Sequence, residues 1–141
     1  MISSIIKMTA AAGFLALAGP AFAESHASGD PTKGEKVFKK CAACHAVGED
    51  AKIKVGPPLT DVVGRKVASF EGFKYGKSIA ALGETEQMWS EEELFEYLAH
   101  PRNYLRAKLS DKKAKSKMAF RLKKEQDRAD VIAYLKSLNA E

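Results

Sequence analysis

Cys41-Ala42-Ala43-Cys44-His45 is the stretch from which the other residues take their meaning. Two thiols three positions apart, with an imidazole directly after the second, form the CxxCH pattern of covalent haem attachment. On a helical backbone, residues three and four apart lie on one face. Cys41 and Cys44 can therefore bond the two vinyl groups on one edge of a haem while His45 turns its ring toward the iron. Three other readings compete. A thioredoxin-type dithiol wants a βαβ setting, for which the chain has no pattern. A structural zinc site wants four ligands, and the chain has 2 cysteines in all. A plain disulfide leaves the histidine unexplained.

Toward the N-terminus, Met1 to Ala23 reads as a secretory signal: a lone Lys7, an apolar run from Met8 to Ala18, then Ala21-Phe22-Ala23 before Glu24. As a helix that run would span about 16 Å, against the roughly 30 Å hydrocarbon core of a bilayer. A signal cleaved after Ala23 is expected, with an uncleaved anchor as the alternative, and export to the periplasm follows. Removing residues 1–23 from the 141 leaves 118, residues 24–141, the size of one domain. The whole chain carries a formal charge of +5, and losing Lys7 leaves +4. Basic charge can mark a nucleic-acid binder, but the sequence contains no recognisable module of that kind.

Asp30 is a good N-cap and Pro31 suits the first helical position, which predicts a helix running to the haem motif. Within it, Gly34 could let another helix approach, with Phe38 packing one turn later, or it could merely weaken the helix. From Ala46 to Thr60 no period appears, and Gly48, Gly56, Pro57 and Pro58 predict a stiff loop. Such a loop could offer a carbonyl to the second ring nitrogen of His45, or be an ordinary turn. The aromatic run Phe70, Phe73 and Tyr75 continues as irregular chain. A segment that long is unusual in a small domain unless a flat apolar cofactor serves as the core it covers.

A short helix is expected over Ser78 to Leu82. Ser90 with Glu93 makes a capping box for a helix over Ser90 to Ala99, with Leu94, Tyr97 and Leu98 inward. Trp89 before it could donate to a haem propionate or could simply pack. Pro101 ends that helix. Glu125 to Leu138 predicts the last one, with Val131, Tyr134, Leu135 and Leu138 as a stripe seeking a partner. The first helix, with its Gly34 gap, is the obvious candidate.

Between Glu84 and Glu96 the chain holds six glutamates and no basic residue; from Arg102 to Lys117 it holds seven Lys or Arg against Asp111. The basic stretch leads directly to Met118. An iron held by His45 needs a sixth ligand or an open position, and a thioether is a soft neutral donor that favours ferrous iron. Met118 lies in a loop where the backbone can bend toward a metal, whereas Met88 beside Trp89 reads as core filler. His26 falls in a polar N-terminal stretch, and His100 sits at a helix C-terminus where the dipole accounts for it.

In this order the pieces resemble a class I c-type cytochrome, of the bacterial cytochrome c2 group similar to mitochondrial cytochrome c. They are Gly34 and Phe38 before the CxxCH motif, Gly56-Pro57-Pro58-Leu59, Gly64-Arg65, and Gly72-Phe73-Lys74-Tyr75-Gly76. Trp89, Tyr97, Pro101, Lys117-Met118-Ala119-Phe120 and Ala133-Tyr134-Leu135 follow. The resemblance implies an all-α fold of about four to five short helices around one covalent haem c, with the terminal helices crossing at Gly34, Phe38 and Tyr134. It implies His45 and Met118 as axial ligands, the Pro57 carbonyl accepting from His45, Tyr75 and Trp89 on a propionate, and Tyr97 near the Met118 sulfur. Arg65 and Phe120 belong to the same cofactor-binding set. The segment between Pro101 and Met118 is longer than in the mitochondrial form.

With both axial positions filled by protein, no small-molecule substrate reaches the iron, so the expected activity is one-electron transfer through the haem edge by a monomeric carrier. Lys39, Lys40, Lys112, Lys113, Lys115 and Lys117, with Arg102 and Lys108, are expected to form a positive rim opposite the glutamates. It would steer the carrier to acidic docking surfaces on membrane redox complexes, such as a bc1-type donor and a reaction centre, oxidase or reductase as acceptor. A haem enzyme or gas sensor with a labile sixth ligand is the alternative.

Overall fold

Asp30 starts the first helix as its side chain predicts. In the computed structural model, which describes residues 28–139, its carboxylate accepts from the N–H groups of Thr32 and Lys33 at 2.9 and 3.2 Å, opening α1 (Pro31–Phe38). The expected signal, its cleavage point after Ala23 and His26 lie outside the described residues. Past Phe38 the chain winds on in tight turns. The N–H groups of Cys41 and Ala42 share the Phe38 carbonyl at 2.7 and 3.0 Å, and those of Cys44 and His45 share the Cys41 carbonyl at 3.0 Å each.

The last helix, α5 (Glu125–Ser137), crosses α1 in the most extensive helix–helix interface of the described residues. Gly34 makes the crossing possible: a Cβ there would stand 1.9 Å from the Asp130 carbonyl oxygen and 2.7 Å from the Tyr134 Cβ. The gap reading of Gly34 therefore holds over the weak-helix reading. Phe38 and Tyr134 bring their rings to 5.6 Å, and the Asp130 carboxylate, 3% exposed, accepts the Asp30 N–H at 2.8 Å. Val131 and Leu135 face inward as the stripe predicts, joined by Ile132.

Three further helices fill the middle of the chain. α2 (Lys77–Gly83) exceeds the expected Ser78–Leu82 by one residue at each end. α3 (Glu91–Ala99) is capped by Ser90, whose Oγ accepts from the Glu93 N–H at 3.2 Å. Only half of the expected capping box forms, because the Glu93 carboxylate turns instead to the Tyr104 hydroxyl and Lys108 Nζ. Its inner stripe is Leu94, Phe95 and Tyr97, with Leu98 half-buried.

α4 (Pro101–Lys108) corrects the reading of Pro101 as a terminator alone. Proline at the first helical position lacks only an N–H that would be unpaired anyway, so the residue that stops α3 also starts α4. His100 caps both helices: it stands at the C-terminus of α3, as expected, and is also the N-cap of α4, its Nδ1 accepting from the Asn103 N–H at 3.3 Å. α4 buries Tyr104 and Leu105, the latter with no exposure.

No strand forms among the described residues, but Lys66 and Met88 make an isolated antiparallel bridge. Beside it the Gly64 N–H donates to the Trp89 carbonyl at 2.7 Å and the Trp89 N–H to the Arg65 carbonyl at 2.8 Å. Neighbours on an extended segment point opposite ways. Trp89 turns in, at 6% exposure, and Met88 turns out, at 46%, which corrects its reading as core filler.

Candidate cofactor site

The loop after the CxxCH motif folds back onto it. The Gly56 N–H donates to the Cys44 carbonyl at 2.8 Å, the Leu59 N–H to the Ala46 carbonyl at 2.9 Å, and Lys54 Nζ to the Ala42 carbonyl. This closure lays the Gly56 backbone flat against the His45 ring. A Cβ on Gly56 would stand 2.3 Å from Cε1 and 2.9 Å from Nε2, so only glycine fits. His45 Nδ1–H then donates to the Pro57 carbonyl at 2.7 Å. A carbonyl can only accept, so the hydrogen bond fixes the tautomer and leaves the Nε2 lone pair for a metal. Burial pulls the His45 pKa down, opposed in part by that hydrogen bond, which keeps the ring neutral as a ligand must be.

Cys41 is half-buried and Cys44 exposed, and the two are not joined in a disulfide. Burial pushes the Cys41 thiol pKa up. Free sulfurs about a turn apart beside an imidazole locked to present Nε2 form a donor set that fits a haem bound through two thioethers and one nitrogen. The exposed large apolar residues Ile53, Val55 and Phe120 and the half-buried Met118 suit a flat apolar cofactor as well.

Arg65 supports this loop from behind, and Tyr75 meets the chain at Phe70. Arg65 donates to the Pro58 and Thr60 carbonyls at 3.1 and 3.2 Å and lies over the Phe70 ring, 5.4 Å from its centroid. In the described structure it buttresses the loop carrying Pro57. The Phe70 N–H donates to the Tyr75 hydroxyl oxygen at 3.2 Å, which leaves the phenol proton free to reach a carboxylate. Trp89, Tyr97 and Tyr104 pack as a trio with centroids 4.9 to 5.9 Å apart. The Tyr97 hydroxyl meets Ser116, whose Oγ donates to the Met118 carbonyl at 2.9 Å, so Tyr97 is tied to the methionine segment through one residue. Burial raises the pKa of Tyr97, and burial with the Glu93 hydrogen bond raises that of Tyr104 strongly, so both phenols stay protonated at neutral pH.

The chain on either side of Met118 is pinned. After it, the Leu122 N–H donates to the Leu98 carbonyl at 2.8 Å, and the Leu122 carbonyl accepts from Arg128 at 2.9 Å. Arg128 also serves the Lys123 carbonyl at 3.0 Å and lies over the Phe95 ring at 4.2 Å, almost fully buried. Nothing in the reading of the sequence above marks Arg128 as a site residue. The signal was a cation one turn before Val131 on the α5 stripe, where a buried residue was due.

Of the expected rim cations, Lys40 is paired with Asp127 at 2.9 Å, and Lys108 lies against Glu93 and the Tyr104 ring. Lys108 therefore belongs to the acidic α3 side and not to a rim opposite it. Lys39, Arg102, Lys112, Lys113, Lys115 and Lys117 are exposed. Lys117 Nζ donates to the Lys74 carbonyl at 2.7 Å and stands over the Phe73 ring. That contact brings Lys74 and Lys77, unremarked in the sequence as charges, beside the lysine-rich segment.

The family model for cytochrome c matches residues 31–139. Cytochrome c2 iso-1 of Rhodospirillum centenum is 47% identical over 117 residues, covering 79% of this chain and 98% of that protein. Cytochrome c-550 of Paracoccus versutus is 47% identical over 138 residues, covering 92% and 86%. Among solved structures, cytochrome c2 from Rhodospirillum centenum superposes with a TM-score of 0.77 at 47% identity, over 79% of this chain and 100% of that one.

Proposed function

Because the chain belongs to the cytochrome c family, with haem c held covalently on Cys41 and Cys44, we propose that it is a periplasmic shuttle whose iron is ligated by His45 and Met118. It is an electron-transfer protein, not an enzyme, with the all-α cytochrome c fold. The bound haem supplies a one-electron ferric–ferrous couple. What the chain itself does is hold that couple still and dry.

His45 presents Nε2 because Nδ1–H is committed to Pro57, and that single observation carries the ligand assignment on its side. Carbonyl acceptance strengthens the imidazole as a donor. Met118 would supply the second protein ligand to the iron, from a segment held at Ser116 and Leu122. A thioether there favours the ferrous state and raises the potential. Tyr75, with its phenol proton free, and Trp89 bind a propionate, while Phe120 covers the apolar face. Arg65 acts on the cofactor by holding the Pro57–Thr60 loop.

The partners are membrane redox complexes with acidic docking surfaces. Lys112, Lys113, Lys115 and Lys117, with Lys39 and the newly adjoining Lys74 and Lys77, supply the positive rim; Lys40 contributes less because Asp127 is its partner. Oxidation rates by an isolated acidic partner should fall steeply as salt rises. A flat salt profile would sink the steering claim. Residues 1–23 are the export signal, and Edman sequencing of the secreted protein should begin at Glu24.

The ligand assignment is tested by the visible spectrum of the purified protein. A long-wavelength methionine-to-iron charge-transfer band should be present and should vanish in Met118→Ala. Rapid carbon monoxide binding to the native ferrous protein at neutral pH would overturn it.

A further inference from the structure

The chain between α4 and Met118 is closed by a set of contacts that leave little of it free. α4 ends in a Schellman-type turn: the Ser110 N–H donates to the Ala107 carbonyl at 3.2 Å and the Asp111 N–H to the Arg106 carbonyl at 3.1 Å. The Asp111 side chain then accepts the Lys113 N–H at 2.8 Å, and its carbonyl accepts the Ala114 N–H at 3.1 Å. The Arg106 side chain returns across this turn, Nε donating to the Ala114 carbonyl at 3.2 Å. Ala114 is thereby seated inward at 1% exposure, in the middle of a run whose lysines are all exposed.

At the next residue the segment is tied to a different element. The Lys115 N–H donates to Ser78 Oγ at 3.0 Å, from the first turn of α2, 37 positions away. Arg106 thus closes the loop on itself, and Ser78 anchors its exit three residues before Met118.

We infer that Arg106 and Ser78 are positioning residues for Met118: together they turn the Asp111–Lys117 segment from a tether into a strut that sets how often the thioether leaves the iron. The inference rests on Met118 being the sixth ligand. A methionine on a free tether of seven residues would yield readily to any competing donor. One whose approach is fixed at Ala114 and Lys115 yields only when those hydrogen bonds open. The cost of opening is carried by two side chains that touch neither Met118 nor His45. Ser78 and Arg106 do not supply charge to the docking rim in this role, since Ser78 acts through its hydroxyl and Arg106 through Nε.

The experiment is an imidazole titration of the haem-loaded ferric protein at neutral pH, following the Soret band in every variant and, where Met118 is retained, the methionine charge-transfer band as well. Losing one such hydrogen bond should raise imidazole affinity about fivefold, and losing both by an order of magnitude or more. Ser78→Ala and Arg106→Met are the test variants. Ser78→Thr, which keeps the hydroxyl, should bind imidazole as the wild type does. Tyr134→Leu, at the α1–α5 crossing, should lower the melting temperature and leave imidazole affinity unchanged, which separates local release of Met118 from general loss of stability. Wild-type affinity in both Ser78→Ala and Arg106→Met, with Met118→Ala binding more tightly, would overturn the strut and leave the ligand assignment standing. A Met118→Ala protein that binds imidazole no better than the wild type would overturn both.

Discussion

Gly56→Ala should damage stability and shift the potential together, because the added methyl meets the one side chain that must not move. The new Cβ would stand 2.3 Å from His45 Cε1, where ordinary contact begins at 3.4 Å, a shortfall of 1.1 Å. The neighbouring His45–Pro57 hydrogen bond is 2.7 Å long and passes out of the usual N–H···O range beyond about 3.2 Å, so its slack of about 0.5 Å falls short of that shift. Overpacking costs about 1–3 kcal/mol and the lost hydrogen bond about 1 more, for roughly 2–4 kcal/mol in all. In urea, with a slope near 1–3 kcal/mol per molar, the midpoint should fall by about 1–2 M. The potential responds separately. An imidazole that no longer donates to a carbonyl is a poorer donor to ferric iron, so the couple moves upward. One kcal/mol corresponds to a shift on the order of 40 mV for a one-electron couple. Spectroelectrochemical titration and urea unfolding of the same haem-loaded protein give both numbers. Gly34→Ala is the control: it clashes with the Asp130 carbonyl far from His45 and should lower stability without moving the potential. A Gly56→Ala protein with wild-type midpoint and potential, or a potential that falls, would refute the reasoning.

Arg128→Met should cost roughly 2–4 kcal/mol, since the Leu122 and Lys123 carbonyls lose their buried donor and the Phe95 ring its cation, with a weakened methionine band as the second readout. An unchanged urea midpoint would show those carbonyls are satisfied otherwise. Ser110 holds a left-handed φ of 51° at the end of α4, so Ser110→Gly should stabilise by about 0.5–1 kcal/mol, read as a higher melting temperature; a drop would mean the Ser110 side chain contributes more than the strain costs. Asp30 has its carboxyl pKa held below the ordinary 3.8, first by the Lys33 N–H, with Thr32 and the Lys33 charge assisting. Its contribution is complete above that ordinary value and is lost as pH falls through the lower folded one. Asp30→Asn should therefore flatten the acid limb of the stability profile below about pH 4 while keeping a cap, and an unaltered limb would count against the linkage.

Local signals in the sequence report what neighbouring residues decide between themselves. Asp30-Pro31 places the start of α1 correctly, and Ser90 that of α3, because a cap is a contract over three residues. The CxxCH spacing and the proline-rich loop likewise point to His45 and Pro57, which are only 12 positions apart. Failures come where one residue serves two elements or where the partner is distant. Pro101 both stops α3 and starts α4, and a rule that reads proline as a stop sees half of that. Glu93 satisfies its own helix only through its N–H, since Tyr104 and Lys108 compete for its carboxylate from the helix the sequence left unread. Lys74 meets Lys117 across 43 positions and Ser78 meets Lys115 across 37, and no periodicity carries such information.

The same distribution explains why the site is built mostly from irregular chain. An electron carrier loses speed if its ligands rearrange at each turnover, so the demand on the protein is stiffness at two atoms, His45 Nε2 and the Met118 sulfur. Helices are stiff along their own axes, but neither ligand sits within one of the five helices of the described residues. Stiffness must come from stitching loops to their surroundings. On the His45 side the stitches are near in sequence: Gly56 to Cys44, Leu59 to Ala46, Pro57 to His45. On the Met118 side they come from four different helices: Ser78 on α2, Leu98 on α3, Arg106 on α4 and Arg128 on α5. The first set forms as soon as its loop closes, while the second waits for the whole fold. The methionine is consequently the ligand released when one of those ties is cut, and variants at Arg106 or Arg128 should lose the thioether before they lose the imidazole, whereas a change confined to the α1–α5 crossing lowers stability without favouring either loss.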